Sequence, residues 1–392
     1  MEQSRPGEIR ALLGARALPP LILVLFHYCE GHGYRGAAWF DLPVAKGYLW
    51  VEFFFALSGF VLSYAYGRRK RELWRPSGYL KFLETRLARL YPLHLAMLLL
   101  ILAMVITLRW LAARGGYVSI YDEPYHPVCT VATFVANLFL VQAWNLFPYL
   151  SWNGAAWFVS VEFLLCLLFP IYLAVSRGGW KTGLLLIALG AVALIVLAQS
   201  PHGLDITFHN GIWRGMAGFA VGVGMAMLHR ELRDVSLSYA VCSILQLAVV
   251  LTLLYGIYGT GWSHRPQDIF TALPVIALVF VLAFDRGVLA ELLKAPPFIK
   301  LGEWSYAIYI GQIPLEQFLR HAQTHLYPAP QELVLGRSWA AWGGVWHWLE
   351  PALLLVAAIL WGWLIFSWIE RPAGTVLKHL IRHQNVRPAA AA

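Results

Sequence analysis

Arg16 and His27 stand at the two ends of an otherwise apolar run, "ARALPPLILVLFH". A charged group in hydrocarbon costs several kcal/mol, about 3 for an arginine at a span's centre on insertion scales, so both residues need a reason to be there. Imidazole exchanges a proton near neutral pH and can act as a general base or as a nucleophile. The guanidinium is a planar fork suited to phosphate or carboxylate. The plain alternative has Arg16 snorkelling to phosphates at the inner surface and His27 seated at the outer interface.

Three further clusters hold ionisable residues in apolar surroundings. "VEFFFALSGF" puts Glu52 at the outer end of a run and a Ser58-Gly59 step in its middle. Such small residues let a second helix or a ligand come close, and Glu52 needs water or a partner. In "RLARLYPLH", Arg86 and Arg89 are three apart on one helical face. That spacing makes a two-pronged clamp for a phosphate-bearing ligand. The neighbouring run 68–71 reads instead as a basic loop on anionic lipid. "SWNGAAWFVSVEFLLCLLFP" carries Trp157, Ser160 and Glu162. A buried Glu162 requires a facing cation or donor, and Arg214, inside "GIWRGMAGFAVGVG", is the expected partner.

The elements that position these residues are membrane spans. Of 392 residues 59% are hydrophobic and only 13% charged, against about 25% charged in a soluble domain. A crossing helix needs about 20 apolar residues. Runs of that kind lie near 12–29, 48–66, 91–110, 154–175, 183–199, 210–228, 238–258, 269–284, 302–321 and 351–369. The expectation is an all-α polytopic bundle of about ten spans, filling residues 1–375 as one domain, with 376–392 as a short tail. Pro19 and Pro20 should interrupt the first span between Arg16 and His27. The run "TVATFVANLFLVQAW" (130–144) holds Asn137 and Gln142, and reads as a short helix against the bundle or re-entering it.

Charge placement sets the orientation. With ten spans and both termini cytoplasmic, 22 of the 30 lysines and arginines fall on the inner side and 7 on the outer, with Arg214 left within a span. That is the asymmetry expected of cytoplasmic loops. The formal net charge of +9 therefore belongs to a membrane face, and no nucleic-acid partner is implied. Cys29, Cys129, Cys166 and Cys242 show no CxxC or CxxH spacing, which excludes a recognisable zinc or redox motif. A Cys29–Cys129 disulfide is the less expected outcome, and no cleavable signal segment or metal site is read.

Taken in order, these clusters resemble the acyltransferase-3 family of membrane O-acyltransferases. The resemblance rests on the Arg16-x10-His27 spacing, "FFALSGF" (54–60), "RLARLYPLH" (86–94) and "WFVSVEFLLCLLFP" (157–170). It continues through "LGEWSYAIYI" (301–310) and ends on "FSWIERP" (366–372). It implies transfer of an acyl group, commonly acetyl from cytoplasmic acetyl-CoA, to a hydroxyl of a carbohydrate, polysaccharide or glycosylated product. The family histidine regarded as catalytic falls on His27, and its paired arginines on Arg86 and Arg89. On this reading His27 and Glu162 are catalytic, while Arg16, Arg86, Arg89 and Ser58 hold acyl-CoA. Glu52 and Trp157 touch the acceptor, and the setting is a bacterial inner membrane with lipid as the other partner. Two departures matter. Gln312 stands where members often have a histidine, so it is given no acid–base role, and the esterase-like C-terminal domain of many members is not found. The rival class is a secondary transporter of a glycan, lipid or organic anion. Transporters often carry internal repeats with broken helices, and none is visible here.

Overall fold

A chain in hydrocarbon has no water to bond its backbone, so each apolar run must satisfy its own N–H and C=O groups by forming a helix. The computed structural model describes residues 8–32, 37–67, 70–115, 128–233, 235–261, 264–326 and 345–384. Among these residues every regular element is helical. Eight helical stretches are long and apolar enough to cross a bilayer by length and composition. Two of the ten expected runs fall outside that group. One, Pro266–Leu282, is shorter. The other, Pro296–Leu326, carries Lys300, Glu303, Gln312 and Glu316 along its length. The architecture is that of an all-α polytopic membrane protein.

The first apolar stretch is two helices, α1 (Arg10–Ala15) and α2 (Leu18–His32). The ladder breaks at Arg16-Ala17, not at the prolines. Arg16 caps α1 with its amide on Leu12 O, and Ala17 N–H turns back to Gly14 O at 3.0 Å. Pro19 and Pro20 lie in the first turn of α2, where the missing N–H groups have no intrahelical partner to lose. The short α3 (Ala38–Ala45) leads through a tight turn, Gly47–Trp50, into α4 (Val51–Tyr66). A brief turn, α5 (Lys70–Leu73), precedes α6 (Pro76–Gly115). At 40 residues α6 runs about 60 Å, twice the hydrocarbon thickness. Arg86 and Arg89 therefore ride on the same continuous helix as the apolar run that follows them.

The ambiguous 130–144 run contains α7 (Val131–Leu138), only 8 residues long. Its polar residues act as anchors. Asn137 Nδ2 donates to Ser151 Oγ at 3.0 Å, and Gln142 Nε2 donates to Ala156 O at 3.0 Å. His94 Nε2 holds Asn137 O from α6 at 2.9 Å. The short-helix reading is the one observed.

The chain then continues through α8 (Trp157–Val175), α9 (Gly179–Leu197), α10 (Gly211–Leu232) and α11 (Tyr239–Leu254). It proceeds through α12 (Ile269–Leu282), α13 (Val288–Leu293), α14 (Pro296–Leu326), α15 (Val345–Ile365) and α16 (Arg371–Gln384). A π turn, Phe366–Glu370, joins the last two. The centre is the crossing of α4 and α10. A side chain at Gly59 would strike the backbone of Phe219, and one at Gly222 the backbone of Ala56. The Ser58-Gly59 step is thus where a second helix comes close. Phe53, Phe55, Phe60 and Phe219 are buried around it.

Candidate active site

Beside this crossing a cavity of about 260 Å³ is walled by α1, α4, α6, α8 and α14. Each wall brings chemistry that the sequence had placed far apart. Arg16 enters from the break after α1, Ser58 from α4, Arg86 and Arg89 from α6, and Glu162 from α8. Five of the eight expected site residues line this one space. Arg86 and Arg89, three apart on one helical face, both reach this cavity. Ser58 Oγ donates to Glu162 Oε1, and Glu162 Oε2 is buried without a partner. Aromatic side chains complete the walls, among them Phe54, Phe158, Tyr306 and Tyr309. The tyrosine hydroxyls are tied to backbone, Tyr306 to Leu90 O at 2.6 Å and Tyr309 to Ala155 O at 2.8 Å. That fixes α14 against α6 and α8.

Glu370 does not line the cavity but acts on two of its arginines, and sequence reasoning left it without a role. It ends the π turn of "FSWIERP" and lies within electrostatic reach of Arg16 and Arg89. The available signal was an acid closing an apolar helix. A π turn shifts the side chain's direction relative to a regular helix, and such turns recur at functional positions.

His27 lies outside this cavity, farther along α2. Its Nδ1 is 3.3 Å from Gln312 Oε1. In the tautomer with the proton on Nδ1, that nitrogen would donate to the Gln312 oxygen, and Nε2 would carry the lone pair. Gln312 is 4% exposed, and its contact with His27 joins α2 to α14. The residue given no acid–base role in the sequence is the one in contact with the imidazole.

Glu52 and Trp157 belong to a separate cluster. Arg214 Nε meets Glu52 Oε1 at 2.5 Å, both side chains fully buried. Arg214 Nη2 donates to Tyr48 O at 2.7 Å, and the guanidinium lies 5.6 Å from the centre of the Trp157 ring. The expected Glu162–Arg214 pairing is therefore not formed. Glu162 takes Ser58 and the α6 arginines as its surroundings, and Arg214 is claimed by Glu52 across the α4–α10 crossing. No disulfide joins Cys29 to Cys129.

A last group sits in the loops near the His27 end. His264 Nε2 is 3.2 Å from Asp205 Oδ2. Partial burial would raise the Asp205 carboxyl, but the His264 hydrogen bond and nearby Arg214 outweigh it and hold the group below the ordinary carboxylate range. The same bond to Asp205 pushes His264 above the usual imidazole value, against the opposing effect of its partial burial. The two residues are 59 apart in the chain, and no pattern in the sequence joins them.

The model of a family described as an acyltransferase domain matches residues 10–369. The chain is 27% identical over 353 residues to the acyltransferase MdmB of Streptomyces mycarofaciens, covering 84% of this chain and 82% of that protein. It is 32% identical over 202 residues to protein 2 in the picA locus of Rhizobium radiobacter, covering 50% of this chain and 98% of that protein. No solved structure matches.

Proposed function

The chain belongs to this acyltransferase family and is an integral membrane acyltransferase, and from that premise we propose that it moves an acetyl group from acyl-CoA to a hydroxyl of a carbohydrate or glycan. The supporting observation is the convergence of Arg16, Arg86 and Arg89 on one cavity, at the Arg16 end of a span whose other end carries His27. Three guanidinium forks suit the phosphates of CoA, and the aromatic and apolar walls suit its uncharged parts. The excess of lysine and arginine on the expected inner side supports a cytoplasmic mouth for this cavity, in a bacterial inner membrane.

The roles follow from position. Eleven residues of helix rise about 16 Å, comparable to an extended pantetheine arm, so a donor held at Arg16 can present its thioester toward His27. Gln312 accepts from Nδ1, and the free Nε2 takes the proton as the acceptor oxygen bonds to the thioester carbonyl carbon. The C–S bond then breaks, and the proton passes from the imidazole to the departing thiolate. If His27 accepts the acyl group itself, the same free Nε2 is the nucleophile. Glu162, held by Ser58 among the arginines, balances the cavity's charge next to the donor.

The arginines act on charge present equally before and during the reaction, whereas His27 acts on charge that develops in it. Arg16→Ala should therefore mainly raise KM for acetyl-CoA, and His27→Ala should mainly lower kcat, by about 10²–10⁴. Steady-state kinetics in nanodiscs with a glycan extract, paired with calorimetric acetyl-CoA binding, separates the two. A His27→Ala protein that folds, binds acetyl-CoA and transfers at near wild-type rate removes the histidine from the chemistry.

A further inference from the structure

Near His27 lies a cluster that the donor cavity does not use. Tyr48 and Asp268 are buried, at 3% and 0% exposure, and form its floor. Tyr48 donates its hydroxyl to Asp268, and Lys46 Nζ stands 3.6 Å from the same carboxylate. Arg265 N–H donates to Asp268 Oδ2 at 2.9 Å. Arg214 of the buried ion pair grips the Tyr48 carbonyl from below. On this floor rests His264, its ring stacked on Tyr48 at 5.1 Å and 10°, its amide N–H donating to the Tyr48 hydroxyl at 3.1 Å.

His264 and Asp205 reach solvent, with side chains 36% and 27% exposed. His264 adopts φ of +63°, a left-handed conformation uncommon for a residue other than glycine. The stack and the amide bond hold it there. Such backbone is retained where surrounding contacts over-determine it, often at ligand-binding positions. The pair is also placed relative to the chemistry: Asp205 lies within electrostatic reach of His27, and Phe26, the residue before His27, packs on Tyr48 at 5.7 Å.

We propose that Asp205 and His264 form the acceptor subsite, holding adjacent hydroxyls of a neutral polyol so that a further hydroxyl reaches His27. This rests on the acyl-transfer reading of His27 given above. Asp205 Oδ2 is engaged by His264, which leaves Oδ1 to accept and His264 Nδ1 to complete a hydroxyl's bonding. A hydroxyl both donates and accepts, so a vicinal diol satisfies the pair in full. An anionic ligand would meet the Asp205 carboxylate, and a cationic one the His264 imidazole, whose charged form Asp205 favours. Neither charge sign suits both neighbours, whereas a neutral polyol suits each.

The test is saturation-transfer NMR on the full chain in nanodiscs, with methyl α-glucoside, methyl α-galactoside, methyl α-rhamnoside and methyl glucuronoside as probes. Wild type should bind at least one neutral glycoside. Asp205→Asn and His264→Asn should each weaken that binding about tenfold or more, while calorimetric acetyl-CoA affinity stays at the wild-type value. Asparagine tolerates positive φ, so His264→Asn keeps the loop and stands in if Asp205→Asn does not fold. Asp205→Asn should also shift preference toward the glucuronoside at least threefold, a change that a merely structural role does not produce. No glycoside binding to wild type overturns the subsite. So does equal binding to wild type and both variants, or parallel loss of glycoside and acetyl-CoA binding. If wild type binds the glycosides but no acetyl-CoA, the donor reading fails and the subsite stands.

Discussion

Glu52 and Glu162 are two glutamates near the starts of apolar helices, α4 and α8, and their surroundings have little in common. Glu52 meets Arg214 at 2.5 Å in a fully buried pair across the close α4–α10 crossing. Glu162 meets a hydroxyl and lines a cavity that Arg16, Arg86 and Arg89 also line, although each of the two acids keeps its Oε2 buried without a hydrogen bond. The first arrangement is closed: charge answers charge, and nothing can enter. The second has charge to spare on both sides, and space between. A membrane protein can tolerate an intramembrane ion in either way, and only the second leaves electrostatic energy available to a ligand. Exposure alone does not separate the two acids, since both are buried.

The comparison is broken most forcefully at Arg214. Arg214→Met strands the Glu52 carboxylate and should destabilise the protein by about 3–5 kcal/mol. Adding Glu52→Leu should recover most of that loss, because removing both ions also removes both desolvation costs. Thermal unfolding in detergent of the two single variants and the double variant reads this directly. A double variant no more stable than Arg214→Met would mean that Glu52 and Arg214 do not act as a pair.

Arg86 and Arg89 should behave in the opposite way. Each faces open space, so Arg86→Ala or Arg89→Ala should leave unfolding nearly unchanged. The loss should appear in acetyl-CoA affinity, at about 1.5–3 kcal/mol, roughly tenfold to a hundredfold in Kd. Lysine at either position should rescue poorly, since it lacks the planar fork. Unchanged calorimetric affinity in both alanine variants would remove the clamp from donor binding. A fall in unfolding temperature matching that of Arg214→Met would erase the distinction between lock and cavity.

What the sequence made legible, and what it hid, follows the same division. Features with a period along one helix were readable: the apolar runs, the Arg86–Arg89 face, and the short α7 betrayed by Asn137 and Gln142. The proline break was misplaced because a proline in the first turn of a helix costs almost nothing, and it was Arg16 and Ala17 that ended α1. Partners across helices were not readable. Arg214 had two acids in apolar helices to choose from, and it takes the one 162 residues away instead of Glu162, which is nearer in sequence. Gln312 was given no acid–base role, and its contact with His27, 285 residues away, was not readable from the sequence. Glu370 was quoted within a motif but aimed by a π turn that no composition reveals.

The smallest expected effect belongs to the exposed pair, and pH gives it a shape of its own. Asp205 lies below its ordinary value of 3.8 in the folded chain, so its contribution is complete above that value and fades as pH falls through the lowered folded one. His264 lies above its ordinary 6.5. Its contribution is complete below 6.5 and fades as pH rises through the raised folded value. The pair should therefore stabilise the two loops over a window from about pH 4 to 6.5 and lose that effect on both flanks. Glu30 and Asp268 also face His264 and favour its charged form, so some of the upper flank should persist when Asp205 alone is neutralised. Solvent screening at these exposures limits the effect to about 0.2–1 kcal/mol. Unfolding of wild type and Asp205→Asn, compared from pH 3 to 9, should give a difference that rises and falls across this window, whereas the Glu52–Arg214 lock, sealed from solvent, should give a loss in Arg214→Met far larger than any pH-dependent change in it. A wild-type minus Asp205→Asn difference that is flat with pH would show that the loops are held by the Tyr48 stack and backbone bonds, with no contribution from the ion pair.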